Sequence, residues 1–325
     1  MNRRRVVSLI SLAASLAVLL LLFSRMNLAL AARSLTEIRW GWVLALALLN
    51  IVHTWVEAER WNLIISSVKP DSRVPQAFAA ILVGVLGNIL LPLRLGDGAR
   101  ALFLARKQKM RFSGALSTVV LDRVVDIAFF LALVGVTALF FPFSSSQRRT
   151  FAVSALALAV VVAVLILLAK GSLSAKVRSL GKPGRAVSDQ IAHLRIGVSA
   201  LRNAGIMLPT GALAALSWIM RATLVWMMFR AFRLDLPVLD AAVTLILLNV
   251  GTAAVNTPAN VGGFELSVVA ALALFGVETE RALSFAVLLH AAEIIPVVFL
   301  GLGVLWLTGF RIEAPGPGVN SEKTG

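Results

Sequence analysis

The chain has 325 residues, of which 59% are hydrophobic and 14% are charged, with no cysteine and a formal net charge of +15. Soluble domains carry roughly a quarter charged residues, so this composition indicates an integral membrane protein with several helices. A chain without cysteine has no disulfides, thiolate zinc sites or iron–sulfur clusters. Its basic residues cluster in short loops between apolar segments, which indicates membrane topology rather than nucleic-acid binding.

The first apolar segment, 6–23, follows three consecutive arginines. At about 18 residues it is long for a signal peptide, so we expect a spanning helix that enters from the cytoplasm. Trp40, Trp42, Trp55 and Trp61 are expected to anchor helix ends at the membrane interface. Further apolar segments lie at 40–56, 77–93, 114–141, 151–169, 206–229, 239–255, 264–275 and 282–307. Together with the first segment, they give a hydropathy count of eight or nine.

The charges of the loops favour a smaller number of full spans. Basic residues flank the segment 77–93 on both sides, so we expect it to leave and rejoin the cytoplasmic face as a re-entrant hairpin with its tip at 88–96. A second hairpin, with its tip at 258–263, is expected to enter from the opposite face. The predicted fold is therefore all-α, a polytopic membrane helical bundle with about six full spans and two re-entrant helical hairpins, arranged as an inverted repeat.

Two similar helix breaks carry this repeat. The first contains Pro92, Gly96 and Asp97, and the second contains Pro258 and Glu265; in each, an acid follows the glycine, and a helix beginning Ala-Leu-Ser comes later. Such a duplicated break in a membrane chain indicates a substrate site. We expect one membrane domain at 1–312 followed by a disordered tail at 313–325; within the domain, the predicted parts are repeat halves at about 40–169 and 205–308 and an amphipathic cytoplasmic connector at 170–204.

Charged residues inside apolar segments are the candidates for function. Asp122 and Asp126 share one helix face, as do His290 and Glu293, and at membrane depth such groups must face protein, water or a polar ligand. Arg123 has two open interpretations: it pairs with Asp97 or Asp126 and locks the two repeats together, or it binds a ligand. Arg221 also lies in an apolar segment, where it could snorkel to the interface or face a cavity.

The breaks themselves resemble anion sites. Their glycines allow close approach, the helix starts favour a lipid phosphate, and Arg94 and Arg100 would add charge-assisted bonds. Asp97 and Glu265 could equally cap the amides of their own helices. No hydrolase or nucleotide-binding motif occurs in the sequence, so we expect no enzyme activity, metal or cofactor. The candidate substrate-binding residues are Arg94, Gly96, Asp97, Arg100, Asp122, Arg123, Asp126, Pro258, Gly262, Gly263, Glu265, His290 and Glu293.

Three motifs in order, Arg94-Leu-Gly-Asp-Gly-Ala-Arg100, Asp122-Arg-Val-Val-Asp126 and Pro258-Ala-Asn-Val-Gly-Gly-Phe-Glu265, resemble the lysylphosphatidylglycerol synthase transmembrane-domain family. That family includes the flippase-like membrane domain of the multiple peptide resistance factor. Its usual forms have Glu at the positions of Asp97 and Asp122. The third motif is closer to stand-alone members linked to polyprenyl-lipid or hopanoid pathways. The resemblance therefore implies a flippase-like protein without the soluble aminoacyl-transferase domain.

These observations together predict a multi-pass protein of the bacterial inner membrane with both termini in the cytoplasm. Its expected function is to translocate or present an anionic or polyprenyl-type lipid. The alternative is a non-transporting membrane partner that positions a lipid-modifying enzyme, such as a glycosyltransferase, through its basic loops.

Overall fold

The computed structural model describes residues 36–90, 95–141, 204–254 and 258–310. This part of the chain forms helices and contains no strand, which confirms the predicted all-α class. It contains eight α-helices and one short 3₁₀ turn at Pro258–Asn260. In chain order the helices are α1 (Trp40–Ser66), α2 (Val74–Leu90), α3 (Gly96–Lys107), α4 (Phe112–Phe140), α5 (Ala204–Ala231), α6 (Val238–Ala254), α7 (Gly263–Ala273) and α8 (Thr279–Thr308).

The helices fall into two length classes. Among the described residues, α1, α5 and α8 are long and apolar enough to cross a membrane, whereas α2, α6 and α7 are apolar but shorter. These short helices cover the segments for which the loop charges predict re-entrant hairpins. The hairpins and the inverted repeat stay predictions. The segment 6–23, the segment 151–169, most of the connector 170–204 and the tail 313–325 lie outside the described residues.

The chain divides into two compact units. Within the described residues, unit 1 contains 36–53, 82–90, 95–96, 219–254 and 258–310, and unit 2 contains 54–81, 97–141 and 204–218. Helices α1, α2 and α5 each contribute residues to both units, and α3 does so through Gly96. The boundaries of these units differ from the predicted halves at 40–169 and 205–308, and the duplication stays a prediction.

Unit 1 is built around α7, which packs against both α6 and α8. The α6–α7 contact is close because Gly251 of α6 faces Ser267 of α7, whose hydroxyl donates to the carbonyl of Gly263 at 2.6 Å. Near the start of α8, Phe285 is fully buried and lies 5.5 Å from the Phe229 ring, measured between centroids. Helices without large polar faces are thereby held by small residues and aromatic packing.

Unit 2 buries two tryptophans that donate hydrogen bonds to α4. The Trp61 indole donates to the Thr118 hydroxyl at 3.2 Å, and the Trp218 indole donates to the Asp126 carbonyl at 3.2 Å. Trp61 is fully buried, so its prediction as an interface anchor is wrong. The error arises because α1 continues ten residues beyond the apolar segment that ended at 56.

The close α6–α7 contact gives a test of the packing in unit 1. A Cβ added at Gly251 would overlap the Ser267 hydroxyl and lie 2.8 Å from its Cβ. We expect Gly251→Ala to destabilise the protein by about 1–3 kcal/mol through overpacking. The measurement is thermal unfolding in detergent.

Gly303→Ala in α8 is the matched control, since a Cβ there meets nothing within 4 Å. It should be neutral or stabilise by up to about 1 kcal/mol, because alanine favours a helix over glycine. Adding Ser267→Gly to Gly251→Ala should restore stability. Equal melting temperatures for Gly251→Ala and Gly303→Ala would contradict the close contact.

Candidate functional site

The second helix break, in unit 1, has an unusual backbone. Ala259 and Asn260 in the 3₁₀ turn have φ of 53° and 59°, and Gly262, which precedes α7, has φ of 82°. The left-handed conformation costs an L-residue about 1–2 kcal/mol. Side-chain contacts must therefore hold the turn in place.

Glu265 and His290 provide these contacts. One carboxylate oxygen of Glu265 accepts the Gly262 backbone N–H at 2.7 Å, and the other lies 2.7 Å from Nδ1 of His290. The second ring nitrogen of His290, Nε2, lies 3.0 Å from the Ala259 carbonyl oxygen. The ring also stacks on Phe264, with 4.1 Å between centroids. The capping interpretation of Glu265 is thus confirmed, and the same carboxylate also contacts His290.

A polar cavity of about 170 Å³ lies beside this turn, within unit 1. Glu293, one helical turn after His290, contributes to its wall, and its carboxylate makes no hydrogen bond or ion pair with the residues that the structure describes. Arg221 also lines the cavity and donates from Nε to Nε2 of His53 at 3.4 Å. Of the two interpretations of Arg221, the cavity position is confirmed. The other lining residues are Asn50, Leu224, Leu245, Leu248, Asn249, Thr252, Asn260 and Phe264.

Unit 2 contains a cluster of three arginines and three aspartates, which we call the Arg–Asp cluster: Arg60, Arg100, Arg123, Asp97, Asp122 and Asp126. At its centre the buried carboxylate of Asp122 is shared by two guanidinium groups. One oxygen lies 3.1 Å from Arg60 Nη2, and the other lies 3.2 Å from Arg100 Nη2. Arg60 also reaches Asp126 at 2.9 Å. The two aspartates therefore share a helix face, as their spacing predicted.

Arg100 is buried, and its guanidinium lies 4.6 Å from the centre of the Trp61 ring. Its Nε lies 3.3 Å from Asp97, so it contacts two carboxylates and an aromatic face. A guanidinium in this position is stabilised by ion pairing and by the cation–π interaction together. Arg100 thus forms part of the internal structure of the cluster.

Arg123 lies on the open side of the cluster. It pairs with Asp97 through two hydrogen bonds of 2.9 and 3.2 Å, and the side chains are 45% and 37% exposed, respectively. The predicted pairing of Arg123 with Asp97 is therefore confirmed, whereas the locking of the two repeats stays a prediction. Because the pair is accessible, it can also exchange partners with a ligand.

The first helix break places Gly96 against α2 in unit 1. Its backbone N–H donates to the Asn88 side chain at 2.9 Å, and a Cβ at this position would overlap the Gly84 carbonyl oxygen. The close approach that the structure shows at this glycine is to α2, and the approach of a ligand stays a prediction. Arg94 lies outside the described residues. Pro258 opens the 3₁₀ turn, and Gly263 begins α7.

Sequence reasoning missed Arg60 and the cavity residues Asn50, His53 and Asn249. Arg60 follows Glu57 and Glu59 just after an apolar segment, a pattern typical of a helix end at the membrane surface. The signal that could have identified it is its position one helical turn beyond an otherwise continuous span. No group of three or more His, Asp or Glu in the described residues could hold a metal ion.

A family model described as "Lysylphosphatidylglycerol synthase TM region" matches residues 8–301, a range that includes the Arg–Asp cluster and the second break. No curated protein matches the chain.

The Arg–Asp cluster gives a test based on burial. Arg60→Gln would leave Asp122 and Asp126 without one of their cations at a buried position, which should cost about 3–5 kcal/mol. Arg123→Gln removes a half-exposed partner and should cost about 0–1 kcal/mol. Thermal unfolding of both variants measures the difference. Similar losses of stability for the two variants would contradict the expectation that a buried ion pair contributes more than a half-exposed one.

The first break gives a test with two neighbouring glycines of α3. Gly96→Ala places a Cβ against the Gly84 carbonyl, and we expect it to lower thermal stability by about 1–3 kcal/mol. Gly98→Ala is the control, because a Cβ there meets nothing within 4 Å. If both variants unfold at the same temperature as the wild type, Gly96 does not make the close approach described above.

Proposed function

The chain belongs to the lysylphosphatidylglycerol synthase transmembrane-region family, and from this premise we propose that it translocates, or presents at the membrane surface, a lipid with an anionic headgroup. Membership makes it an integral membrane protein related to lipid handling. The proposal adds movement of the lipid and a headgroup of polyprenyl-phosphate or similar anionic type. It involves no covalent change to the lipid.

The observation that carries the proposal is the different exposure of the three arginines. Arg60 and Arg100 are buried and paired, whereas Arg123 is 45% exposed. A guanidinium binds phosphate through two parallel hydrogen bonds, the same geometry in which Arg123 now binds Asp97. Arg123 is therefore the residue of the cluster that a phosphate headgroup can reach.

Asp97 would keep a cationic partner, Arg100, if a phosphate took its place on Arg123. If a phosphate replaced Asp97 on Arg123, the Asp97 carboxylate would still contact Nε of Arg100 at 3.3 Å. The exchange then avoids the large cost of an unpaired charge in an apolar environment. Phosphate binding at this position requires only a local rearrangement of side chains.

Large exposed apolar side chains fit the lipid tails. On α8, Phe299, Trp306 and Leu307 are more than two-thirds exposed, and on α4, Leu139 and Phe140 are equally accessible. Exposed apolar side chains of this size suit a membrane environment. We infer that the protein lies in a bacterial inner membrane with both termini in the cytoplasm, as its basic loops predict.

The cavity of unit 1 supports the proposal with a second polar site in an apolar environment. Its wall carries the cation Arg221 and the acid Glu293. Buried ionisable groups in membrane helices commonly mark substrate or ion pathways. Of the candidate residues, Glu293 lines this cavity, and Glu265 and His290 contact the turn beside it; we infer that the three balance charge there.

The test is a translocation assay in vesicles that contain the purified protein and a fluorescent phosphatidylglycerol, whose accessibility to an external quencher is followed over time. We expect the wild type to accelerate exchange between leaflets and Arg123→Gln to slow it by about tenfold, since one charge-assisted bidentate contact is worth about 1.5–3 kcal/mol. A fluorescent phosphatidylcholine of the same chain length measures the preference for negative charge.

Lys69→Gln is the matched control. It also removes one cation, but from a pair with Asp71 outside the Arg–Asp cluster, and it should leave the rate unchanged. Equal rates for the wild type and Arg123→Gln would exclude the proposed role of that arginine. If the wild type moves neither probe faster than protein-free vesicles, the protein does not translocate these lipids.

A further inference from the structure

Both ring nitrogens of His290 face oxygen acceptors. Nε2 lies 3.0 Å from the Ala259 carbonyl, and Nδ1 lies 2.7 Å from the Glu265 carboxylate. A neutral imidazole carries only one N–H. An ionised carboxylate carries no proton. Both contacts can therefore be hydrogen bonds only when His290 and Glu265 together hold one additional proton.

We propose that His290 and Glu265 form a proton-binding site, and that the bound proton holds the Pro258–Asn260 turn against α8. The ligand of this site is a hydrogen ion. The inference does not depend on lipid movement, because it follows from the hydrogen bonds of the turn alone.

Loss of the proton breaks one of the two contacts, whichever tautomer the ring adopts. With the hydrogen on Nε2, the Nδ1 lone pair faces the Glu265 carboxylate at 2.7 Å and repels it. With the hydrogen on Nδ1, the Nε2 lone pair faces the Ala259 carbonyl at 3.0 Å. The second arrangement keeps the charge-assisted bond to Glu265, so the contact to Ala259 is the one that is released.

The released contact matters because the turn is strained. Ala259 and Asn260 both have positive φ without being glycine, and such conformations persist only where surrounding contacts hold them. The carbonyl of Ala259 connects this turn directly to α8 through His290. Without that hydrogen bond, the turn loses one of the contacts that hold its strained backbone, and its backbone angles should shift toward more favourable values.

The turn also forms part of the cavity wall of unit 1. Asn260 and Phe264 line the cavity, and Phe264 stacks on His290. Proton release should therefore open or reshape this cavity. Among the described residues, the charged and titratable groups that face this region are Glu265 on α7, Glu293 on α8, Arg221 on α5 and His53 on α1.

The variant Glu265→Gln distinguishes the effect of the bound proton from the effect of the hydrogen bonds. The amide oxygen of Gln can accept the Gly262 N–H, and its NH₂ can donate to Nδ1 of a neutral His290. Nε2–H then still donates to Ala259. This variant keeps the whole network without a titrating proton, so its turn should stay closed at every pH.

The experiment uses the natural absence of cysteine from the chain. Thr252→Cys places a single thiol in the cavity wall, and its rate of modification by a water-soluble maleimide reports access. The rate is measured in the otherwise wild-type protein and in the Glu265→Gln background, from about pH 5.5 to 8.5, the range in which histidine titrates. The ratio of the two rates at each pH cancels the titration of the thiol itself.

We expect this ratio to rise about fivefold with increasing pH, which corresponds to about 1 kcal/mol and the loss of one hydrogen bond. His290→Ala should give the high rate at every pH. A ratio that does not change with pH would overturn the proposal, as would equal rates for His290→Ala and Glu265→Gln.

A second measurement follows the wild-type protein itself. Ring ¹⁵N chemical shifts of the wild-type protein in lipid nanodiscs report the protonation and tautomer of each histidine, and His290→Gln identifies the signal. We expect the His290 shifts to change over the same pH range as the modification rate. Shifts that stay constant over that range would overturn the proposal.

Discussion

The structure of unit 2 depends on the neutralisation of Asp122. This carboxylate is buried on a long apolar helix, where an unpaired ion would cost several kcal/mol. Arg60 and Arg100 each bind one of its oxygens. Because Arg60 comes from α1 and Arg100 from α3, this one carboxylate joins three helices at a fixed point. Arg100 in turn contacts Asp97, which leaves the remaining pair, with Arg123, at the accessible edge of the cluster.

The second break also contains an acid that follows its glycines, but the basic side chain that this acid contacts is a histidine. Asp97 and Glu265 occupy similar positions after their glycines, yet Asp97 binds arginines whereas Glu265 caps its own helix and contacts His290. An arginine stays charged under all physiological conditions, but a histidine can gain or lose its proton. Similar sequence motifs therefore produce a permanently charged network in unit 2 and a titratable one in unit 1.

The sequence predicts features that depend on one segment and misses those that combine several. Apolar runs locate the described helices except α3, which carries several charges, and helical spacing places Asp122 and Asp126 on one face. The interface prediction for Trp61 fails because hydropathy marks where the apolar run stops, whereas α1 continues to Ser66. Spacing also pairs His290 with Glu293, but the hydrogen-bond partners of His290 come from the preceding break. Those contacts depend on tertiary packing, which periodicity does not encode.

The charge balance of the Arg–Asp cluster bears on how a headgroup could move. Its three arginines are matched by three aspartates. An incoming phosphate would therefore displace a carboxylate from an arginine that is already paired. The gain at Arg123 is offset by the loss of one contact to Asp97 and by one added negative charge. In the proposed function, such binding would be weak and reversible. Conduction through a membrane requires sites of this kind, from which the substrate can also leave. An unpaired arginine in the same place would bind phosphate more tightly and release it more slowly.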